Sequence, residues 1–346
     1  MQAPIKCKKK DISYKCSAGH KGNDVVRNEQ QEKDYSDRVK KGKRIYPEDN
    51  GDQQQATDLA LHTPSQNMGP AGSMDIEHAM QQPDYFNLSG KPRYVDPRLI
   101  PVEQFDPVND VQPDSSAILY GIRRTGKSFF MDWYYSNWAP YYQQFFVFTK
   151  TTVNGFWQRR VPPAAIYKDL EDSDLQSILD FQQKVKTDPA WAQREGYDGR
   201  TGVLFDDVID DNYVRHYGDK GALASLFVQG RHLSCSVMLA TQFPTAVPPK
   251  CRDNVDMVVF FKTSKNSSME RFHDEYMGRL NRKTAMELIN MYTDVQQYGT
   301  ANERRRVLIV LMDAGLTYNQ RFRGAVPQKP QDYTLGSEKF WKEMSG

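Results

Sequence analysis

The chain has 346 residues and a formal net charge of +2. That length allows one large domain with a substantial core, whereas the near-neutral charge gives no indication of an anionic partner. No apolar stretch approaches the roughly 18 residues of a transmembrane helix, and none follows the basic N-terminus. We therefore expect a soluble, intracellular protein with no membrane span and no secretory signal.

The four cysteines predict neither a disulfide framework nor a metal site. Cys235 lies in an apolar run and is expected to be buried, and so few cysteines are typical of a reducing compartment. Cys7, Cys16 and His20 lie near one another in the chain, but they lack the C-x-x-C spacing of zinc sites and no second pair follows.

Residues 1–95 are polar, rich in Gln, Asp, Lys and Gly, and poor in periodic apolar positions, so we expect this segment to be largely disordered. Within it, residues 38–44 form a dense basic cluster. This cluster fits a nuclear-import signal or a DNA-contacting arm as well as a simple solvated stretch. Several prolines follow, and they predict a Pro-rich linker at 96–114 rather than a long helix.

Residues 121–128 read GIRRTGKS and match the pattern G-x-x-x-x-G-K-[ST]. An apolar run at 117–120 precedes the motif and a helix-compatible stretch follows it, which is the strand, glycine turn and helix order of a phosphate cradle. Lys127 would reach the β- and γ-phosphates and Ser128 would ligate Mg²⁺. The motif therefore predicts a site for a nucleoside triphosphate. The residues predicted to contact the nucleotide are Gly121, Arg124, Thr125, Gly126, Lys127, Ser128 and Phe129.

Alternating strands and helices predict an α/β domain at 115–325, followed by a C-terminal tail at 326–346. Because the strands are apolar on both faces, we expect a mainly parallel central sheet flanked by helices. The predicted strands are 117–120, 144–149, 202–207, 233–241, 257–262 and 306–312. The predicted helices are 129–138, 169–186 and 221–230, with a polar helical region at 268–292.

The strand at 202–207 ends in two carboxylates, Asp206 and Asp207, and resembles a Walker B element. Ligands bind at the carboxyl edge of parallel strands in open α/β sheets. Asp206 is thus expected to hold Mg²⁺, and Asp207 to accept a proton from the attacking water or to orient it. An Asp-rich turn is the structural alternative, but the paired acids beside a phosphate motif favour hydrolysis. Gln242, at the tip of strand 233–241, is placed to contact the γ-phosphate or its water, or is an exposed strand end.

The order of motifs resembles that of the DNA-packaging ATPases of large double-stranded DNA viruses, in the poxvirus-type branch of the FtsK/HerA superfamily. The resemblance covers roughly residues 115–265. It depends on the phosphate motif, the paired acids, Gly-Arg-His before an apolar strand, Ala-Thr-Gln at its tip, and Cys-Arg-Asp-Asn at 251–254. Arg123 and Arg124 depart from the small residues that many relatives carry in the loop. A second role for these arginines, in neutralising phosphates or contacting a neighbour, stays open.

This resemblance implies a RecA-like P-loop NTPase fold and an oligomeric ring, a hexamer or pentamer. Such a ring would hydrolyse ATP with Mg²⁺ to translocate double-stranded DNA into a preformed capsid. The implied partners are DNA, further copies of the chain and a capsid or portal vertex protein. The implied location is the virion and the infected host cell. Gln242 would sense the γ-phosphate, and Arg231 or Arg252 would reach across a subunit interface to stabilise the transition state. The alternative for either arginine is a structural role in a surface salt bridge.

Three other classes of protein bind nucleotides in a similar way but fit the remaining residues less well. A nucleotide or small-molecule kinase would share the phosphate motif, but paired acids are less expected there. A non-catalytic nucleotide-gated adaptor would not need Lys127, Ser128 and both acids, and a GTPase is disfavoured because no base-reading Asn-Lys-x-Asp element follows the third strand.

A DNA translocase needs sequence-independent phosphate contacts. The candidate residues for these contacts are Lys262, Lys265, Arg279, Arg282 and Lys283.

Overall fold

The computed structural model of the chain describes residues 90–150, 155–209, 211–294 and 306–345. The predictions for the polar N-terminal segment therefore lie almost entirely outside the described residues. This applies to the basic cluster at 38–44 and to Cys7, Cys16 and His20.

A nine-stranded sheet forms the centre of the described part of the chain, with the strand order β1-β9-β8-β7-β2-β6-β5-β3-β4. Six neighbouring strands, from β7 to β4, run parallel, and β8 is antiparallel to both β7 and β9. The mainly parallel sheet is thus confirmed. The strands are β1 (Glu103–Gln104), β2 (Ser116–Tyr120), β3 (Gln144–Thr149), β4 (Ile166–Tyr167), β5 (Thr201–Asp206), β6 (Cys235–Thr241), β7 (Met257–Phe261), β8 (Val307–Leu311) and β9 (Phe322–Ala325).

Helices cover both faces of the sheet. The helices of the described residues are α1 (Lys127–Trp138), α2 (Asp172–Thr187), α3 (Pro189–Glu195), α4 (Asp211–His216), α5 (Ala222–Gln229), α6 (Pro249–Asp253), α7 (Asn266–Tyr276), α8 (Arg282–Thr293) and α9 (Glu338–Ser345). Apolar side chains of α1 and α9 pack in one core layer. Those of α2, α5, α7 and α8 pack in the other. The α/β architecture with helices on both faces follows from strands that are apolar on both sides.

Strand β2 lies in the middle of the sheet, between β6 and β7. Its side chains alternate between the two core layers, with Ile118 and Tyr120 in one and Ala117 and Leu119 in the other. The segment after β2 therefore emerges at the centre of the carboxyl edge. The ends of β6 and β5 lie beside it, since β5 pairs with β6 in parallel.

The structure differs from the sequence-based expectation in several local features. The polar helical region at 268–292 is two helices, because Gly278 falls between them and the Asn281 side chain caps α8 by accepting from the Lys283 amide. The strand predicted at 306–312 is present as β8, but it runs antiparallel to β7. The short strands β1, β4 and β9 and the short helices α3, α4, α6 and α9 were not predicted, because two to eight residues carry little periodic signal.

The segments predicted as linker and tail both contribute to the packed domain. Phe105 and Val111 of the Pro-rich segment are buried in the core, and β1 pairs with β9. Beyond residue 325, Leu335 and Phe340 are buried in the same layer as α1. The domain division at residues 95, 114 and 325 stays a prediction, but the prolines at 96–114 do not make that segment a free linker.

No helix among the described residues is both long enough and apolar enough to cross a bilayer. Cys235 is buried at the start of β6, as its apolar surroundings predict.

Candidate active site

The phosphate motif forms the turn between β2 and α1. Gly126 has a φ of 100°, which L side chains rarely adopt, and α1 begins at the next residue. The Gly121 amide donates to the Thr241 carbonyl of β6 over 3.1 Å, so the loop is attached to the neighbouring strand. A strand, a left-handed glycine and a helix N-terminus place backbone N–H groups around one anion-sized space.

Gly121 approaches its neighbours too closely to carry a side chain. A Cβ there would lie 2.7 Å from Phe261 Cβ and 2.7 Å from Thr125 Oγ1. We expect Gly121→Ala to lower stability by about 1–3 kcal/mol and to weaken binding of an ATP analogue, measured by thermal unfolding and by titration. Gly278→Ala is the matched control, because the nearest atom to its added Cβ is 3.7 Å away. Equal behaviour of the two variants would contradict the close approach described here.

The remaining predicted loop residues take up different positions. Thr125 Oγ1 donates to the Ile122 carbonyl over 2.9 Å and closes the loop internally. Arg124 has a φ of 66°, and its side chain and that of Arg123 are exposed. Neither forms an ion pair with another described residue. Phe129 is partly buried on α1. The contacts of Arg124, Thr125 and Phe129 with a nucleotide stay predictions.

Lys127 is 5% exposed and lies at the centre of the site. Its Nζ donates to the Gly121 carbonyl over 2.8 Å and lies 3.3 Å from Asp207 Oδ2. The motif lysine is thereby brought against one of the two acids predicted to work with it. Lys127 and Asp207 are distant in the sequence, and they meet because β2 and β5 end at the same edge of the sheet.

Ser128 and Asp206 are also brought together. Ser128 Oγ donates to Asp206 Oδ2 over 2.8 Å, and Trp157 Nε1 donates to the same oxygen over 3.1 Å. Burial raises the pKa of Asp206, and these two hydrogen bonds oppose that rise. The pair predicted to hold Mg²⁺ is therefore assembled around one carboxylate oxygen.

Asp207 lies directly after β5 in a left-handed backbone conformation, with a φ of 51°. Non-glycine residues adopt this region infrequently, and such residues cluster at functional sites. The Asp207 amide is held by the Ala240 carbonyl over 3.2 Å. Its Oδ1 is buried and accepts no hydrogen bond from any described residue. The turn thus directs the carboxylate towards Lys127, and its second oxygen receives no hydrogen bond from the described residues.

Gln242 follows β6 and reaches the same carboxylate. Its Nε2 donates to Asp207 Oδ2 over 3.3 Å. Because β6 lies next to both β2 and β5, the tip of β6 is adjacent to the phosphate loop and to the paired acids. The structure therefore brings together Lys127, Ser128, Asp206, Asp207 and Gln242.

The donor set around Ser128 fits a hard divalent cation. Hydroxyl and carboxylate oxygens converge there, and these are the ligands that Mg²⁺ prefers. Among the described residues no group of three or more His, Cys, Asp or Glu side chains could hold a metal. A magnesium ion at this place would depend on Ser128, Asp206 and oxygens from outside the protein, which is the usual mode for Mg²⁺ with a nucleotide.

Neither of the two arginines expected to act across a subunit interface contacts the described residues of this cluster. Arg231 precedes β6, so it lies at the amino edge of the sheet, where Nη1 is 3.5 Å from Asp256 Oδ1. The seven residues of β6 separate it from the phosphate loop by about 20 Å. Arg252, on α6, has Nε 2.9 Å from Glu275 Oε1 and donates to the Val247 carbonyl. Neither arginine joins the site of its own subunit, so a role for either requires a neighbouring copy.

The basic residues predicted to contact DNA lie between β7 and α7, between α7 and α8, and at the start of α8, and each has an acidic or aromatic partner. Lys262 Nζ lies 2.5 Å from Asp294 Oδ1, and Arg282 pairs with Asp274. Lys283 lies 4.0 Å from Glu287, and Arg279 lies over the Tyr318 ring. Lys265 lies over the exposed ring of Phe243, next to Gln242. DNA contact by these residues stays a prediction.

Trp157 is the residue of this cluster that sequence reasoning missed. It is buried in the segment after β3 and is separated from Asp206 by 49 positions. No motif or spacing marks it, and the signal available was the aromatic pair Phe156-Trp157.

The sequence matches a family model and several viral proteins. The family model "Poxvirus A32 protein" matches residues 104–322. Uncharacterized protein 088R of Invertebrate iridescent virus 3 is 27% identical over 158 residues, which is 44% of this chain and 57% of the relative. Uncharacterized protein L437 of Acanthamoeba polyphaga mimivirus is 21% identical over 193 residues, 54% of this chain and 65% of the relative. The chain thus spans less than two thirds of either relative.

Solved structures show a distant likeness. The genome packaging NTPase B204 from Sulfolobus turreted icosahedral virus 2, in complex with AMPPCP, is 16% identical with a TM-score of 0.39 and covers 63% of this chain and 100% of its own. The DNA-packaging ATPase B204 from Sulfolobus Turreted Icosahedral Virus is 15% identical with a TM-score of 0.41, over the same shares. The family match spans well over half of the sequence and includes the phosphate loop, both acids and Gln242, and the chain therefore belongs to the poxvirus A32 protein family.

Proposed function

We propose that this chain is an ATP-hydrolysing motor that translocates double-stranded viral DNA into the capsid. Membership of the poxvirus A32 family supports this function. So does the resemblance of the motif order to packaging ATPases. The chemistry is carried by the residues gathered at the carboxyl ends of β2, β5 and β6.

One observation carries the proposal of hydrolysis. Asp207 Oδ2 lies 3.3 Å from Lys127 Nζ and 3.3 Å from Gln242 Nε2, so a carboxylate, an ammonium and an amide converge beside the phosphate loop. A carboxylate next to the γ-phosphate can accept a proton from the water that attacks the phosphorus. The amide is a second polar group that can orient that water.

In the proposed reaction a water molecule attacks the γ-phosphorus of ATP while the bond to the β,γ-bridging oxygen breaks. Asp207 accepts a proton from that water, and Lys127 compensates charge on the phosphate oxygens. Gln242, held against Asp207, orients the water and senses whether the γ-phosphate is present. The products are ADP and inorganic phosphate, and Asp207 then returns its proton to solvent.

Ser128 and Asp206 are the residues that would hold Mg²⁺. When bound, the metal neutralises charge on the β- and γ-phosphates. The chain's own contribution is to keep the Ser128 hydroxyl and the Asp206 carboxylate together at the start of α1.

The proposal includes a ring of five or six copies, because neither Arg231 nor Arg252 contacts Lys127 or the paired acids in the described part of its own subunit. Of the two candidates, Arg231 is 66% exposed, whereas Arg252 is 20% exposed and already paired with Glu275. Exposure favours Arg231 as the residue that reaches a neighbour. The other proposed partners are duplex DNA and a capsid or portal vertex protein, in the virion and the infected cell.

The rate of ATP hydrolysis with and without duplex DNA tests this function. We expect duplex DNA of any sequence to raise the rate several-fold at low salt, and the stimulation to fall steeply between about 50 and 200 mM salt because phosphate contacts are lost. A rate unchanged by DNA at low salt, together with a monomer in sedimentation, would contradict the proposal. Transfer of the phosphoryl group to an acceptor other than water would support the kinase alternative instead.

A further inference from the structure

Trp157 is the second hydrogen-bond donor to the carboxylate that would hold the metal. Its indole Nε1 and the Ser128 hydroxyl both donate to Asp206 Oδ2, over 3.1 Å and 2.8 Å. No described residue donates to Asp206 Oδ1. Two donors on one oxygen fix the rotation of the carboxylate, and the other oxygen keeps its lone pairs.

Trp157 is buried, and its backbone lies in a short hydrogen-bonded turn. Its side chain is 2% exposed. Its carbonyl accepts hydrogen bonds from the amides of Arg160 and Val161, over 2.8 Å and 3.0 Å, which make a short helical turn. The indole therefore has little freedom to leave Asp206 unless this turn moves.

A partly buried ionic cluster attaches that turn to α1. Arg160 Nε lies 2.8 Å from Asp132 Oδ1 and Nη2 lies 3.3 Å from Oδ2, so the pair is bidentate. Tyr333, from the segment between β9 and α9, donates from its hydroxyl to Asp132 Oδ1 over 2.7 Å and accepts at its carbonyl from Arg160 Nη1. Asp132 lies one turn after Ser128 on α1. Ser128 thus contacts Asp206, and Asp206 contacts Trp157. The turn of Trp157 is connected through Arg160 to Asp132, which lies on the same helix as Ser128.

We propose that Trp157 is a positioning residue that orients Asp206 for the divalent cation, and that the Asp132–Arg160–Tyr333 cluster holds Trp157 in place. The C-terminal segment thereby sets the affinity of the nucleotide site for metal. Hydrogen-bond partners of metal-holding residues tune metal affinity in this way in other proteins. This inference rests on the proposed function, because it concerns the metal of that reaction.

Trp157→Phe tests the first part, since it keeps an aromatic ring and removes the N–H. The measurement is Mn²⁺ binding, followed by electron paramagnetic resonance in the presence of a nonhydrolysable ATP analogue, with the full chain. We expect Mn²⁺ affinity to fall about 10-fold or more, while analogue affinity in EDTA stays that of the unchanged protein. Trp191→Phe is the matched control, because Trp191 packs against Phe181 and Tyr197, remote from Asp206.

A loss of analogue binding in EDTA equal to the loss of Mn²⁺ affinity would show a merely structural role and overturn the proposal. Unchanged Mn²⁺ affinity in Trp157→Phe would overturn it as well. A different result would contradict the proposed function: the unchanged protein would bind Mn²⁺ and the analogue but would not hydrolyse ATP.

Tyr333→Phe tests the second part without touching the site. It removes a hydroxyl and keeps the ring beside Arg160. We expect Tyr333→Phe to lower Mn²⁺ affinity by less than Trp157→Phe does. The double variant should bind Mn²⁺ as tightly as Trp157→Phe alone, because both changes act through one contact. Additive losses, or no loss in Tyr333→Phe, would overturn the assignment of the cluster to Trp157.

Discussion

Replacing Asp207 with asparagine is expected to lower kcat for ATP hydrolysis by about 10²–10⁴-fold, the usual contribution of a general base, while ATP binding is retained. The amide has the size of the carboxylate and can still accept a hydrogen bond from Gln242 Nε2. It cannot take the proton of the attacking water. Removal of a negative charge beside the γ-phosphate also favours binding of an anion. Single-turnover rates and titration with an ATP analogue measure the two quantities separately.

Asp169→Asn is the matched control, since Asp169 is exposed and lies outside the cluster. It should hydrolyse ATP at the rate of the unchanged protein. A loss of binding in Asp207→Asn comparable to its loss of turnover would show that the carboxylate holds the site together rather than acting as a base.

Replacing Lys127 with alanine is expected to remove both binding and hydrolysis. The Lys127 ammonium is buried between the Gly121 carbonyl and Asp207, and it is the positive charge nearest to the paired acids among the described residues. Its loss leaves Asp207 without its ionic partner and the phosphate oxygens without charge compensation. We expect kcat to fall by at least about 10²–10³-fold, as for removal of one electrostatic contact to a transition state, and analogue affinity to fall at least tenfold.

Lys220→Ala serves as the control, because that lysine is exposed on the segment before α5. The two site variants are expected to differ in kind, since Lys127→Ala loses affinity and Asp207→Asn does not. Retention of full affinity in Lys127→Ala would place the phosphates elsewhere and contradict the geometry of the loop.

Most of the site follows from local sequence patterns. Gly121, Lys127 and Ser128 belong to one motif, and the two acids are the last residue of a buried strand and the residue directly after it. Parallel neighbours end at the same edge, so adjacency of β2, β5 and β6 brings Gln242 to Asp207. The sequence alone supported a contact by Gln242 only as an alternative to an exposed strand end. The structure adds the hydrogen bond to Asp207.

Other features required the three-dimensional structure because their partners are distant in the chain. Trp157 reaches Asp206 across 49 positions and Tyr333 reaches Asp132 across 201. The antiparallel direction of β8 could not be read from its composition, since a buried strand has the same apolar pattern in either direction. The position of Arg231, by contrast, can be deduced from the sequence and the direction of β6. A residue just before a parallel strand lies at its amino end, opposite the phosphate loop.

Movement of the protein along duplex DNA tests the central claim most directly. The measurement is displacement of a third strand bound to a duplex, followed by the release of that labelled strand when the protein and ATP are added. We predict ATP-dependent release by the unchanged protein, and no release with a nonhydrolysable analogue or by Asp207→Asn, which still binds ATP. Hydrolysis stimulated by DNA without any release of the third strand would contradict the account of this chain as a translocating motor.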